Sequence, residues 1–339
     1  MRNERITSRR SFLSNCLAGA AGVAAGESAF PLDAAETVSS ATKARVAIAQ
    51  DALLRDAEGA VDSRCVVPLL DHAMQSLFDA DEPMQPWTRL VRPGLMVGVK
   101  VNTLGGRGIS SNVPLVEAIC ERLQGAGVRP QQTVIWDRDS AELERAGFRI
   151  RTGGNQVQCF GTDRVGYEDQ LETWGSVGSR LSKILTQRCD VLINVPVLKD
   201  HDGAGVSIAL KNMYGVIHNP NKYHPNGCDP YIADVNMLPE IRAKLRLTIC
   251  DATNACFEGG PSFKPEFTWQ HNALIVAHDP VALDTIGWQI IERKRAEKGL
   301  KTLDAEGRTP RYIATAADAA HRLGMNDPRR ITLAEVRVA

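Results

Sequence analysis

Six basic side chains crowd residues 199–224: Lys199, His201, Lys211, His218, Lys222 and His224. Asp200, Asp202, Asp229 and Asp234 supply opposite charge beside them, and three of the chain's seven histidines lie in this stretch. Residues of these types support three chemistries. Neutral imidazoles of His201 and His224, with His218 as a further donor, could join a carboxylate from Asp234, Asp251 or Glu258. That nitrogen and oxygen set suits a divalent transition metal such as zinc, iron, nickel or manganese. Lys100, Lys199 and Lys211 could instead converge with the Gly-rich turn at 105–108, whose backbone N–H groups would cradle a phosphate or carboxylate. A desolvated Lys211 with a lowered pKa would serve as base or nucleophile.

The candidate catalytic residues are thus Lys211, His201 and Lys100. Asn102, Lys199, Asn212, Glu258 and Gly259 are candidates for holding a cofactor, and His201, His224, Asp234 and Asp251 for ligating a metal. Each has a plainer reading. A lone histidine can be a loop or core residue with its hydrogen bond satisfied. The G-G-R-G turn matches neither the dinucleotide nor the Walker pattern and also reads as a flexible connection. Lys211 can be one half of a structural ion pair with Asp234, Asp251 or Glu258, since an unpaired buried charge costs several kcal/mol. Asp279 before Pro280 reads as a helix cap, and Asp284 as a first-turn acid favoured by the helix dipole.

These residues need elements to position them. Apolar β-branched runs predict strands at 45–50, 96–102, 133–137, 157–161, 191–198, 245–251 and 273–277. Period-3.6 patterns predict helices at 65–80, 113–125, 281–298 and 313–323. Strand, crossover helix and strand in alternation indicate an α/β class with a mostly parallel sheet and helices on both faces. No linker-like composition divides residues 40–339, so one large domain is expected, with 199–232 as an irregular excursion at the sheet's edge. In such sheets ligands bind beyond the carboxyl ends of the strands, and Lys100, Asn102, Asp137, Lys199, His201, Asp251 and Asn254 all fall there.

The chain has 339 residues, 43% of them hydrophobic and 24% charged, an ordinary globular composition. Forty basic residues balance forty acidic ones, which leaves no bulk charge to attract nucleic acid. No apolar segment reaches the length of a membrane span. The absence of any C-x-x-C pair argues against an iron–sulfur cluster, and Cys120 and Cys250 read as small core residues.

Ser8-Arg9-Arg10-Ser11-Phe12-Leu13, followed by an Ala/Gly-rich mildly apolar stretch, resembles a twin-arginine export signal. The resemblance implies a removable peptide over residues 1–36, recognition by the twin-arginine machinery and export in the folded state to a periplasmic or other extracytoplasmic site. It also implies a cofactor loaded before export.

Further along, K-V-N at 100–102, V-P-V-L-K-D-H at 195–201, A-L-K-N-M-Y-G-V at 209–216, F-E-G-G-P at 257–261 and H-D-P-V-A-L-D-T at 278–285 stand in a characteristic order. Together they resemble the domain-of-unknown-function 362 family. That resemblance implies an α/β fold with a site built on these motifs, and names no reaction. A partial resemblance links His201 and Lys211, ten residues apart, to the core of the nickel-pincer lactate racemase. In that enzyme the lysine holds the pincer cofactor covalently, but its next ligand histidine would fall on Gly227 here.

Overall fold

A computed structural model describes residues 43–338. The expected export signal at 1–36 lies outside them. The described residues fall in one compact unit.

Twelve strands occur among the described residues: β1 (Ala44–Gln50), β2 (Val97–Val101), β3 (Thr133–Trp136), β4 (Gln158–Cys159), β5 (Glu172–Trp174), β6 (Val177–Ser179), β7 (Val191–Val195), β8 (Val197–His201), β9 (Gly205–Ser207), β10 (Leu245–Cys256), β11 (Thr268–Ala277) and β12 (Ile331–Arg337). The main sheet runs in the order β12-β1-β11-β10-β7-β2-β3-β4. β8 branches from β10 and pairs with β9, and the sheet's pairings are parallel except β1–β11, β10–β11 and β8–β9. The α/β class and mostly parallel sheet are as the sequence predicts. β5 and β6 form a small separate hairpin.

Both faces of the sheet are covered, because alternate strand residues enter two different cores. Val46, Ile48, Ile275 and Ala277 pack with Val281, Leu283, Ile290 and Ile291 of the helix Pro280–Glu297. Ala47, Ala49, Leu274 and Val276 pack on the other side with Val66, Leu69 and Leu70 of the helix Ser63–Phe78 and with Val116 and Ile119 of the helix Val113–Gly125. The period-2 pattern of each strand thus sends one set of apolar residues to each helical layer.

Four expectations need correction. Residues 191–198 are not one strand: Pro196 lacks the N–H a ladder needs, and the chain breaks into β7 and β8 there. β8 runs through Lys199 to His201 and pairs with β10 and β9, so 199–232 begins against a central strand and not at the sheet's edge. The helix read at 313–323 stops at Ala317, and the strand read at 245–251 continues to Cys256. β12 and the β5–β6 hairpin carry no run that marked them in the sequence.

Candidate functional site

Lys100 is the last residue but one of β2, Lys199 the middle residue of β8, and Lys211 sits in the short helix Ala209–Asn212 that follows β9. All three are buried, at 1%, 1% and 6% exposure. Burial of three lysines requires an account of what each ammonium meets.

Lys100 is held by a carboxylate that the sequence placed at a strand end. Its Nζ lies 2.7 Å from Asp137 Oδ1 and donates to the Val101 carbonyl at 2.6 Å. Asp137 Oδ2 accepts the backbone N–H and the hydroxyl of Thr103 at 2.8 and 2.9 Å. A Cβ on Gly215 would stand 2.6 Å from the Lys100 amine, so only glycine lets the segment behind Lys211 close over this pair.

Lys199 Nζ donates to Asn102 Oδ1 at 2.8 Å. The Asn102 amide donates to Asn212 Oδ1 at 3.0 Å, and the Asn212 amide to Asn194 Oδ1 at 2.7 Å. These asparagines tie β2, β7 and β8 to the Lys211 helix. Burial, reinforced by the charges of Lys211 and Lys100, brings the Lys199 amine down to about 8.

Lys211 turns inward, and among the described residues no carboxylate holds it. Its Nζ lies 3.3 Å from His224 Nε2 and 4.3 Å from the centre of the Tyr214 ring, and the neighbouring Cys228 thiol favours its charged form. Burial lowers its pKa from the usual lysine value. The expected partners are committed elsewhere. Asp234 accepts from Ser176 N–H and hydroxyl and faces His321 Nε2 at 2.9 Å. Asp251 accepts from Asn112 and Thr253. Glu258 meets Arg295 and Arg308.

The two histidines stand with ring centres 5.9 Å apart but carry opposite tautomers. His224 Nδ1 faces the Pro220 carbonyl at 3.0 Å, which can only accept, so Nδ1 holds the proton and Nε2 presents its lone pair to Lys211. His201 Nδ1 accepts the backbone N–H groups of Gly203 and Ala204, at 3.1 and 3.3 Å, which puts its proton on Nε2. Burial, with positive charge on Lys211, drives His201 down to about 2, so the ring stays neutral.

The nominated metal set does not assemble. A ligating histidine ordinarily donates from its second ring nitrogen, and His201 does the reverse. Asp234 and Asp251 are engaged with other partners, and among the described residues no group of three or more His, Cys, Asp or Glu is placed to hold a metal ion. His218 is exposed and packs edge-on to Tyr167; Lys222 is also exposed.

In the glycine turn a Cβ on Gly105 would meet Ile109 and one on Gly108 would meet Phe263, whereas Gly106 borders open space. Glu258 and Gly259 belong to a structural loop: Gly260 N–H donates to Asp200 Oδ1, and Arg308 bridges Asp200 at 2.7 Å to Glu258 at 2.8 Å. A groove of about 640 Å³ lies along the helix Pro280–Glu297, lined by Ile286, Trp288, Glu292, Asn326 and Leu333, and none of the nominated residues borders it.

Two contributors were not foreseen as site residues. Asp284 accepts the N–H groups of Ala209 and Leu210 at 2.7 and 3.2 Å, and so anchors the start of the Lys211 helix from another helix. The first-turn reading of this residue is therefore corrected. Asp279 does cap its own helix, accepting from Val281 and Ala282. Cys228 reaches Lys211 from a backbone in the left-handed region, φ 62°, as do Asn226 and Gly227 before it. The Asn-Gly pair was the one sequence signal for that conformation.

The family described as Domain of unknown function (DUF362) matches residues 97–289, more than half of the chain. The chain belongs to this family. The DUF362 match spans β2 to the middle of the helix Pro280–Glu297, and thus includes every lysine, histidine and asparagine of the site just described. No curated protein matches the chain.

Proposed function

We propose that this DUF362 protein binds a small anionic molecule at the buried lysines and moves a proton there through His224 and Lys211. The observation that carries the reading is a charge imbalance. Three buried lysine amines lie within electrostatic reach of one another, and among the described residues Asp137, engaged by Lys100, is the one carboxylate that meets any of them. A carboxylate or phosphate ligand would supply the missing negative charge by charge-assisted hydrogen bonds. His224 suits proton transfer because its Nε2 lone pair already faces a polar hydrogen and its ring is half-buried, between the interior and solvent.

Titration calorimetry of the purified protein with oxalate, malonate and inorganic phosphate tests the reading. Binding of at least one, lost in Lys199→Met, is the expected result. An enzyme and a carrier separate at Lys211→Arg, which keeps the charge: binding without turnover marks an enzyme, and loss of binding a carrier. No binding of any of the three anions would end the proposal. The twin-arginine motif supports a further reading, export in the folded state; an Arg9→Lys/Arg10→Lys protein processed and exported at wild-type levels would remove it.

A further inference from the structure

Three observations about Lys211 go beyond anion binding. Its amine is buried without a carboxylate, the His224 Nε2 lone pair stands 3.3 Å away, and a thiol occupies the place an acid would take in an ordinary ion pair. Lys100 shows the contrast: its amine is 2.7 Å from an Asp137 oxygen. Cys228 is itself fully buried, and burial pushes its thiol up, so it stays neutral beside Lys211. The backbone that carries it lies at φ 62°, where a side chain other than Asn or Asp is uncommon and strain marks a position held by its surroundings. Among the described residues no carboxylate stabilises the charged form of Lys211, and burial outweighs what the Cys228 thiol contributes to it.

We infer that Lys211 is a nucleophile that condenses with the carbonyl of an anionic substrate, a 2-oxo acid, to form an imine. The inference rests on the anion-binding reading: the Lys199 ammonium meets the substrate carboxylate, and the carbonyl carbon then faces Lys211. His224 Nε2 takes a proton from the Lys211 ammonium. The amine lone pair forms the N–C bond as the carbonyl oxygen is protonated to give a carbinolamine. Loss of that oxygen as water, with a second N–H proton, gives the C=N bond, so atoms and electrons balance without an oxidant or reductant. Lys199 is the less suited of the two amines, since Asn102 Oδ1 engages it and no ring nitrogen faces it among its hydrogen-bond partners.

The test is borohydride trapping on the full chain, with glyoxylate, pyruvate and 2-oxoglutarate as probes, followed by peptide mass spectrometry. The expected result with at least one probe is a single modified residue, Lys211, carrying the reduced substrate as a secondary amine. Lys211→Arg should bind the same acid without being labelled. Cys228→Asp is the second variant, because Asp tolerates a left-handed backbone and restores a carboxylate beside the amine. It should fold, hold Lys211 as ammonium and lower labelling by at least tenfold. Equal labelling of Lys211→Arg and the native chain, labelling of Lys199 instead, or no labelled Lys211 with any of the three acids overturns the inference. Oxalate binding distinguishes the two levels: bound oxalate with no trapped adduct removes the imine alone, whereas absence of both removes the anion reading as well.

Discussion

Asp137→Ala isolates the energetics of the site's one direct lysine–carboxylate pair. The substitution removes the oxygen 2.7 Å from Lys100 Nζ and the acceptor of both Thr103 hydrogen bonds. Lys100 is 1% exposed and keeps the Val101 carbonyl at 2.6 Å, a long contact of 3.4 Å to Asn212 Oδ1 and the Trp136 ring, its centre 5.9 Å away. Leaving one charge of a buried pair uncompensated costs about 3–5 kcal/mol. The orphaned Thr103 N–H adds to that by about 1–3 kcal/mol. Against a typical total stability of about 5–15 kcal/mol this is a large loss. Lys100→Met/Asp137→Ala removes the stranded charge along with its partner, and should therefore be more stable than Asp137→Ala by more than about 1 kcal/mol. Urea denaturation followed by circular dichroism and tryptophan fluorescence measures both variants. A single substitution that costs under about 1 kcal/mol, or a double variant less stable than the single, refutes the argument.

Two further outcomes follow from the same geometry. Lys199 falls from 10.5 when unfolded to about 8 when folded, so between these values the unfolded chain binds more protons and stability rises with pH. This contribution is complete above 10.5 and lost as pH falls through 8; Lys199→Met should remove that rise in denaturation curves, and an identical pH dependence in both proteins contradicts it. Nitrogen NMR of the imidazoles near neutral pH should find the proton of His201 on Nε2 and that of His224 on Nδ1, and the same tautomer on both rings would undo the proton-transfer assignment.

The sheet was legible in the sequence because its strands are buried on both faces and read as apolar runs, as 133–136 and 191–195 do. β12 escaped because it is an edge strand with only Ile331 buried, so neither a run nor a period-2 pattern marks it. The inward turn of Lys211 was legible from its apolar neighbours. Its partners were not, because local sequence shows which charges exist but not which distant group reaches them first. Asp234 is taken by Ser176, 58 positions earlier, and by His321, 87 positions later. Asp284 looked like a residue of its own helix, yet it serves amides 75 and 74 positions away. Histidine tautomers were beyond reach for the same reason, since each is set by one backbone group that only the fold brings near.

β1 lies between β11 and β12, and its parallel pairing with β12 joins Ala44 to Ile331 and Gln50 to Arg337. Pairings so distant along the chain raise contact order, and their loop-closure entropy is lost before the contacts repay it. A chain made from its N-terminus presents β1 early but cannot cover that strand's outer edge until residues 331–337 exist. Throughout that interval the unpaired amides and carbonyls of β1 are open to another chain. The order of synthesis thus makes the most C-terminal described strand the latch on the first one, and makes the interval before it closes the window in which this protein depends most on being kept from its own copies.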